Sequence, residues 1–298
     1  MWAGSTLSRS VPKPTPYRAF TWNEIDLREE RAFSRSAARA VVRTDISQFY
    51  SSIYTHSLEW ALIGKPAAKA RVAAHGPKGP GATLDDLVRY GQDNQSVGLP
   101  IGPDTSLLLA EMVLCAVDHQ VQTHLRGVRG FRQVDDYELS FPSRARAEDA
   151  LSEVQSALAE FQLYLNPRKT SVIELPQPLE AGWITRLKAI DQRAGGKAQQ
   201  RDLLRLFDTA FELSIEFPEQ HVLNYALGVL TKSKVIIDPN NWRLAQGLML
   251  GSALSSPGLL ERILPVLLAY AGIGRTLDVD ALGEIINDLI QTHVRLGH

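Results

Sequence analysis

The sequence predicts an α+β chain: an antiparallel sheet of β-α-β-β-α-β type carrying helices, followed by an all-α C-terminal region. Three observations predict it. An apolar β run, Val41-Val42-Arg43-Thr44-Asp45, ends on a carboxylate. Ninety positions later, Phe131, Val134, Tyr137, Leu139 and Phe141 give a strand–turn–strand pattern around the pair Asp135-Asp136. From about residue 199 onward the apolar residues recur at the spacing of successive amphipathic helices.

The elements follow in chain order. Residues 1–40 are polar and rich in Pro, Ser and Arg. The first strand starts at Val41. The stretch between Asp45 and Gly98 reads as helical and loop-rich, with GPKGPG (Gly76 to Gly81) as a flexible loop. The Gly/Pro-rich segment GLPIGPDTS starts at Gly98, and Leu107 to Val121 reads as a buried helix. After the strand–turn–strand, Ser143 is placed to cap a helix, in which Leu151, Val154, Leu158 and Phe161 recur on the face that packs on the sheet. Amphipathic runs then occupy 201–216, 220–232, 242–255, 259–271 and 279–295, split by Pro, Gly and Asn. Their lengths suit paired antiparallel helices of solenoid type or a plain helical bundle. Leu203, Phe207 and Phe211 form a stripe expected to seat this region on the sheet, and Leu282, Ile285, Ile286 and Leu289 form another.

Composition narrows the function classes. At 298 residues the chain holds about two domains, and a 44% apolar fraction suits a folded core. A single cysteine, Cys115, rules out a disulfide framework and fits a reducing cytoplasm. The N-terminus lacks a signal pattern, and the longest apolar stretch, near Ile263 to Ile273, is too short to span a bilayer. No Walker or dinucleotide glycine fingerprint and no zinc-type Cys/His spacing occurs; His56 and His75 read as surface residues. The net charge of −1 argues against tight binding of long duplexes, so any basic patch is local. Its candidates are Lys65, Lys69, Arg71 and Lys78, and Arg126, Arg129 and Arg132.

The carboxylates point to a chemistry. Joining a nucleotide to a 3′-hydroxyl is an in-line attack on an α-phosphate, and two Mg²⁺ ions about 3.5–4 Å apart stabilise the attacking and leaving oxygens. Such ions need hard oxygen ligands on rigid backbone. Asp45 and Asp135 are the expected primary ligands. Successive strand side chains point to opposite faces, so Asp136 joins them only if the turn bends. An Asp-Asp pair alone is equally an ordinary hairpin turn. The order of four segments separates the two readings: VVRTDISQFYSSIY, GLPIGPDTS, FRQVDDYELSF and LYLNPRKTSV.

This ordered set resembles the reverse transcriptases, and more closely the bacterial abortive-infection and defence-associated branch. The resemblance covers residues 41–190 with specific motifs and continues as a general helical pattern. It implies a palm at 41–190 with a fingers insertion near 62–95, partial fingers at 1–40, and a helical thumb or solenoid-like region at 199–298. Asp45 matches the motif A metal aspartate, with Ile46 and Ser47 beside the nucleotide. Asp135 and Asp136 match the catalytic pair of motif C. Tyr50 matches the aromatic gate that excludes a ribose 2′-hydroxyl; an aromatic there also suits a core. Leu99, Pro100, Ile101 and Gly102 match the start of the motif B loop, which runs to Ser106. Lys169 matches the motif D lysine, a general acid for the leaving pyrophosphate; it also reads as a solvated turn lysine. Lys13 or Arg18 would grip the triphosphate. Two positions depart from the family pattern: Gln133 stands where Tyr or Phe is usual, and Ile101 where Gln is usual.

The resemblance thus implies an RNA-directed DNA polymerase, a Mg²⁺-dependent and cytoplasmic nucleotidyltransferase of anti-phage defence, with templated or template-independent synthesis. A conventional retron- or intron-like reverse transcriptase is the nearest alternative. A catalytically weak RNA-binding or oligomeric scaffold is the alternative of another class. The expected partners are dNTPs and nucleic acid, with a non-coding RNA, a partner subunit or a second copy of the chain as further expectations and no membrane.

Overall fold

The computed structural model describes residues 24–232 and 235–296. Lys13 and Arg18 lie outside the described residues. The chain divides into two units after Leu179.

The first unit is built on a four-stranded antiparallel sheet. In chain order its elements are α1 (Glu24–Arg35), β1 (Ala40–Asp45), α2 (Phe49–Ser52), α3 (Ser57–Ile63), α4 (Lys65–Ala73), α5 (Pro80–Tyr90), α6 (Asp104–His124), β2 (Arg129–Gln133), β3 (Asp136–Phe141), α7 (Arg144–Glu160) and β4 (Ser171–Glu174). The strand order is β2-β3-β1-β4. β1 is central, and its register sets Arg43 opposite Glu138 and Asp45 opposite Asp136. Because side chains alternate between faces, each face takes a separate set. Val42, Leu139, Leu114, Val117, Val154 and Leu158 are buried where the sheet meets α6 and α7. On the other face, Arg31 and Arg35 of α1 reach the buried Glu138, joined by Arg43 from β1.

Local sequence rules explain several elements. Ser143 caps α7 by accepting a hydrogen bond from the Arg146 backbone N–H at 3.3 Å, the expected geometry. The buried helix expected at Leu107 to Val121 is the middle of α6. The glycine-rich segment behaves differently from expectation. Only Gly76 to Gly79 lies outside helix; Pro80 starts α5 in the favourable first-turn position. Gly81 is buried there because α5 presses on α3: a Cβ at this position would stand 2.5 Å from Glu59 Cα.

The second unit is all-α: α8 (Gly182–Lys188), α9 (Gly196–Glu216), α10 (Val222–Lys232), α11 (Pro239–Ser255), α12 (Leu260–Gly272) and α13 (Val279–Leu296). The five expected runs coincide with the last five helices. Asp238 starts α11 by accepting from the Asn240 N–H at 2.8 Å, ahead of Pro239. Leu203 and Phe207 are buried in this unit's own core, with Trp183, Leu223, Trp242, Met249 and Ile263. The stripe expected to seat the region on the sheet therefore serves helix–helix packing within the unit. Among the described residues no helix is long and apolar enough to cross a membrane.

The Gly81 contact gives a direct stability test. Gly81→Ala is expected to destabilise the protein by roughly 1–3 kcal/mol, the usual range for forcing extra volume into a tight contact. Equilibrium urea denaturation checks it. An unchanged midpoint would return the segment to a loop that tolerates a side chain.

Candidate active site

Asp45 closes β1 and is buried, with 5% of its surface exposed. Asp136 opens β3 directly across from it. Directly opposed residues of antiparallel strands share a face, so this pair is set by register alone. Asp135 cannot join them from a straight strand. The two-residue connection Val134-Asp135 provides the bend, since Gln133 pairs with Asp136 across it and Val134 takes a left-handed φ of 54°. Few β-branched residues occupy that region. As a result, one carboxylate oxygen from each of Asp45, Asp135 and Asp136 lies within 4.8 Å of the others. The geometry does not rank Asp136 behind Asp135.

Backbone hydrogen bonds hold the arrangement. The Ile46 N–H donates to the Asp135 carbonyl at 3.2 Å, and the Ser47 N–H to the Tyr164 carbonyl at 2.8 Å. Ile46 also bridges Leu165. Asn166, which carries no role in the sequence motifs, is a close neighbour of Asp45. Its side-chain amide donates to Asp45 Oδ2 at 3.1 Å, and its backbone N–H donates to the Asp45 carbonyl at 2.8 Å. The Asn-Pro dipeptide was the available signal, since it favours turn initiation. Lys169 follows in the same turn, with Nζ 3.2 Å from Asp45 Oδ2 and a largely exposed side chain.

The electrostatics follow from crowding. Burial, then the charges of Asp45 and Asp136, push the Asp135 carboxyl up to about 6. Burial and Asp45 also raise Asp136, while Lys169 works the other way. The hydrogen bond to Asp45 raises the Lys169 ammonium. Three oxygen-only anionic groups that repel one another suit a hard divalent cation such as Mg²⁺. The triad can therefore bind a metal ion.

The other expected residues are placed as follows. Tyr50 is half-buried in α2, its ring 5.1 Å from Phe49. Burial, then Asp135 and Glu111, raise its hydroxyl. The Leu99 N–H donates to the Tyr50 carbonyl at 2.7 Å, which brings the Gly98–Gly102 loop alongside. Leu99 is buried, Pro100 is exposed, Ile101 is 81% exposed, and Gly102 has φ 119°. Half-buried His56 pairs with Asp85, and His75 is exposed; neither joins the aspartates.

Three of the seven basic-patch candidates are corrected. Arg132 is fully buried, so it is no surface charge. Its guanidinium bonds Glu111 and Asp118 of α6. The sequence signal was two acids seven apart, Glu111 and Asp118, on the apolar stretch of α6, where burial favours a paired cation. Arg71 is paired with Glu59 and Lys78 with Asp86, because the acids of α3 and α5 face them.

No protein-family model and no curated protein matches the chain. Among solved structures it is similar to telomerase from Candida albicans in complex with a TWJ fragment of telomeric RNA. That match has a TM-score of 0.35 and 11% identity, covering 80% of this chain and 46% of the other. It is also similar to an insertion-loop deletion mutant of the RNA-dependent RNA polymerase of a human picobirnavirus. That match has a TM-score of 0.36 and 15% identity, covering 88% of this chain and 53% of the other. The chain thus spans about half the length of both.

Proposed function

We propose that the chain is a divalent-metal-dependent nucleotidyltransferase, a nucleic-acid polymerase that extends a 3′-hydroxyl. The observation that carries this reading is the convergence of Asp45, Asp135 and Asp136, with one oxygen each inside 4.8 Å. The narrower proposal is RNA-directed DNA synthesis from dNTPs with Mg²⁺, in bacterial anti-phage defence. Its support is the ordered set of motifs around Asp45, Tyr50, Leu99 to Gly102, Asp135-Asp136 and Lys169.

Bound Mg²⁺ would stabilise charge on the attacking and leaving oxygens. The three aspartates would hold the metal through one carboxylate oxygen each. The 3′-oxygen would release its proton to solvent as it bonds to the α-phosphorus, and the α–β phosphoanhydride bond would break, its electron pair leaving with pyrophosphate. In this reading Lys169 supplies positive charge, or its proton, to the departing pyrophosphate. Tyr50 closes the space beside the sugar C2′, and the Leu99–Gly102 loop orients the incoming nucleotide and template base. Ile46 and Ser47 present backbone beside the nucleotide.

The metal reading makes a pH-dependent prediction. The folded value for Asp135, about 6, lies above the unfolded one, which is near 4 for a free Asp side chain. Between about pH 4 and 6 the folded state therefore holds the extra proton, and stability of the metal-free protein falls as pH rises through that window. Asp135→Asn should abolish nucleotide incorporation and raise the melting temperature in EDTA at neutral pH. A divalent cation should raise the melting temperature of the native protein more than that of the variant. Scanning fluorimetry from acid to neutral pH, with primer extension, checks both. Native-level incorporation by Asp135→Asn would sink the assignment.

Sugar discrimination tests Tyr50. Tyr50→Val should reduce the dNTP-over-rNTP preference by at least about tenfold, equivalent to about 1.4 kcal/mol. An unchanged ratio would leave Tyr50 a packing residue.

Lys169→Ala should lower the turnover rate more than it weakens dNTP affinity. Lys169→Arg should recover part of the charge effect but no proton transfer, because the guanidinium stays protonated. Single-turnover kinetics separates the two, and full activity in Lys169→Ala would favour the solvated-turn role.

A further inference from the structure

We propose that Arg132 is a positioning residue that clamps the Val134-Asp135 turn in its bent form and so delivers Asp135 to the cluster. The inference deepens the reading of that cluster as a metal site and rests on it.

Arg132 stands one residue before the last position of β2 and is 0% exposed. Its guanidinium spends every donor. Nε bonds the Asp118 carboxylate at 3.1 Å. Nη2 bonds Glu111 and Asp118, both at 2.9 Å. Nη1 bonds Glu111 at 2.8 Å and then reaches the Val134 carbonyl at 2.6 Å. That last bond ties α6 to the turn itself. Tyr137, opposite Arg132 across the hairpin, adds a hydrogen bond from its hydroxyl to Asp118 at 3.0 Å. Burial opposes charge on Arg132, but Asp118 and Glu111 outweigh it and keep the guanidinium protonated.

The turn needs such a clamp. Val134 is left-handed, which its β-branched side chain disfavours. The Asp135 carbonyl is already fixed by the Ile46 N–H, so the Val134 carbonyl is the remaining hinge of the connection, and Arg132 holds it. If the hinge swings, Asp135 leaves Asp45 and Asp136, which the sheet register alone keeps opposed. Lysine cannot substitute, because one ammonium offers three donors at a point where the fork offers five.

The test uses the full chain and two readouts. The first is Mn²⁺ affinity by calorimetry. Arg132→Lys should weaken it by about tenfold, the low end for removing a group that orients a metal ligand. Adding Val134→Gly to that variant should restore most of the loss, since glycine takes a positive φ without strain. A role confined to stability would give no such rescue. The second readout is hydrogen exchange of the Ile46 amide in metal-free protein, which Arg132→Lys should accelerate. Glu111→Gln, nearly the same shape, should shift both in the same direction if Arg132→Lys does not fold. Native Mn²⁺ affinity in a folded variant, or no rescue by glycine, overturns the inference. If the native protein itself binds no Mn²⁺, the metal reading fails separately. The clamp then stands or falls on the Ile46 exchange alone.

Discussion

Three like charges must be kept within a few ångströms of one another, and the structure of the first unit is organised around that constraint. Asp45, Asp135 and Asp136 repel, and burial first and that repulsion second raise the Asp135 and Asp136 carboxyls. Flexible side chains would relax the repulsion by moving apart. Here the carboxylates are short and their backbone is fixed. Asp45 and Asp136 are locked by the β1/β3 ladder, and a one-residue slip would send one of them to the opposite face. Asn166 and Lys169 then neutralise and bond Asp45 from the turn before β4. Asp135 alone depends on a turn.

The two faces of the sheet each carry a buried charged network, of opposite balance. Toward α6, one arginine meets two acids, Glu111 and Asp118. Toward α1, one acid, Glu138, meets Arg31, Arg35 and Arg43. Buried ion pairs add little net stability but leave few alternative packings. Glu138 lies two residues from Asp136 along β3 and Arg132 three residues before Asp135, so both networks brace the strands that carry the site. Arg31 also lowers Asp136. Arg132, a candidate for a nucleic-acid face on composition, is thereby consumed inside the fold.

What was legible in the sequence was what local pattern determines. Asp45 at the end of an apolar run, the Asp-Asp pair between two β patterns, the Ser143 cap and the last five helices all follow from periodicity and capping within a dozen residues. Arg132, Gly81 and Asn166 were not legible in the same way. Whether Arg132 faces solvent depends on which helix covers β2, a long-range fact; only Glu111 and Asp118, stranded in an apolar helix, hinted at it. Gly81 looked like loop punctuation because its reason is a neighbour's backbone, Glu59, twenty-two positions away. Leu203 and Phe207 were assigned the right periodicity and the wrong partner for the same cause: an amphipathic stripe states that a surface is covered and not what covers it.

The separation between the aspartates and the proposed sugar gate is a further consequence of chain geometry. Asp45 and Tyr50 lie on one continuous segment, five positions apart. A left-handed Gln48, φ 47°, turns the chain from β1 into α2 between them. Beyond that turn the segment is laced to the glycine loop by three backbone hydrogen bonds: Leu99 to Tyr50 at 2.7 Å, Gly98 to Ile53 at 2.8 Å, and Thr55 to Ser96 at 2.9 Å. Gly98 takes φ 95° and lets the loop approach Ser51, whose carbonyl would stand 3.4 Å from an added Cβ. A shift of the loop would break these bonds to the α2 segment, which three residues join to Asp45. Under the proposed function, the place where a nucleotide's sugar is inspected and the place where its phosphate reacts lie on one continuous stretch of backbone. Specificity and chemistry would then share a single mechanical reference.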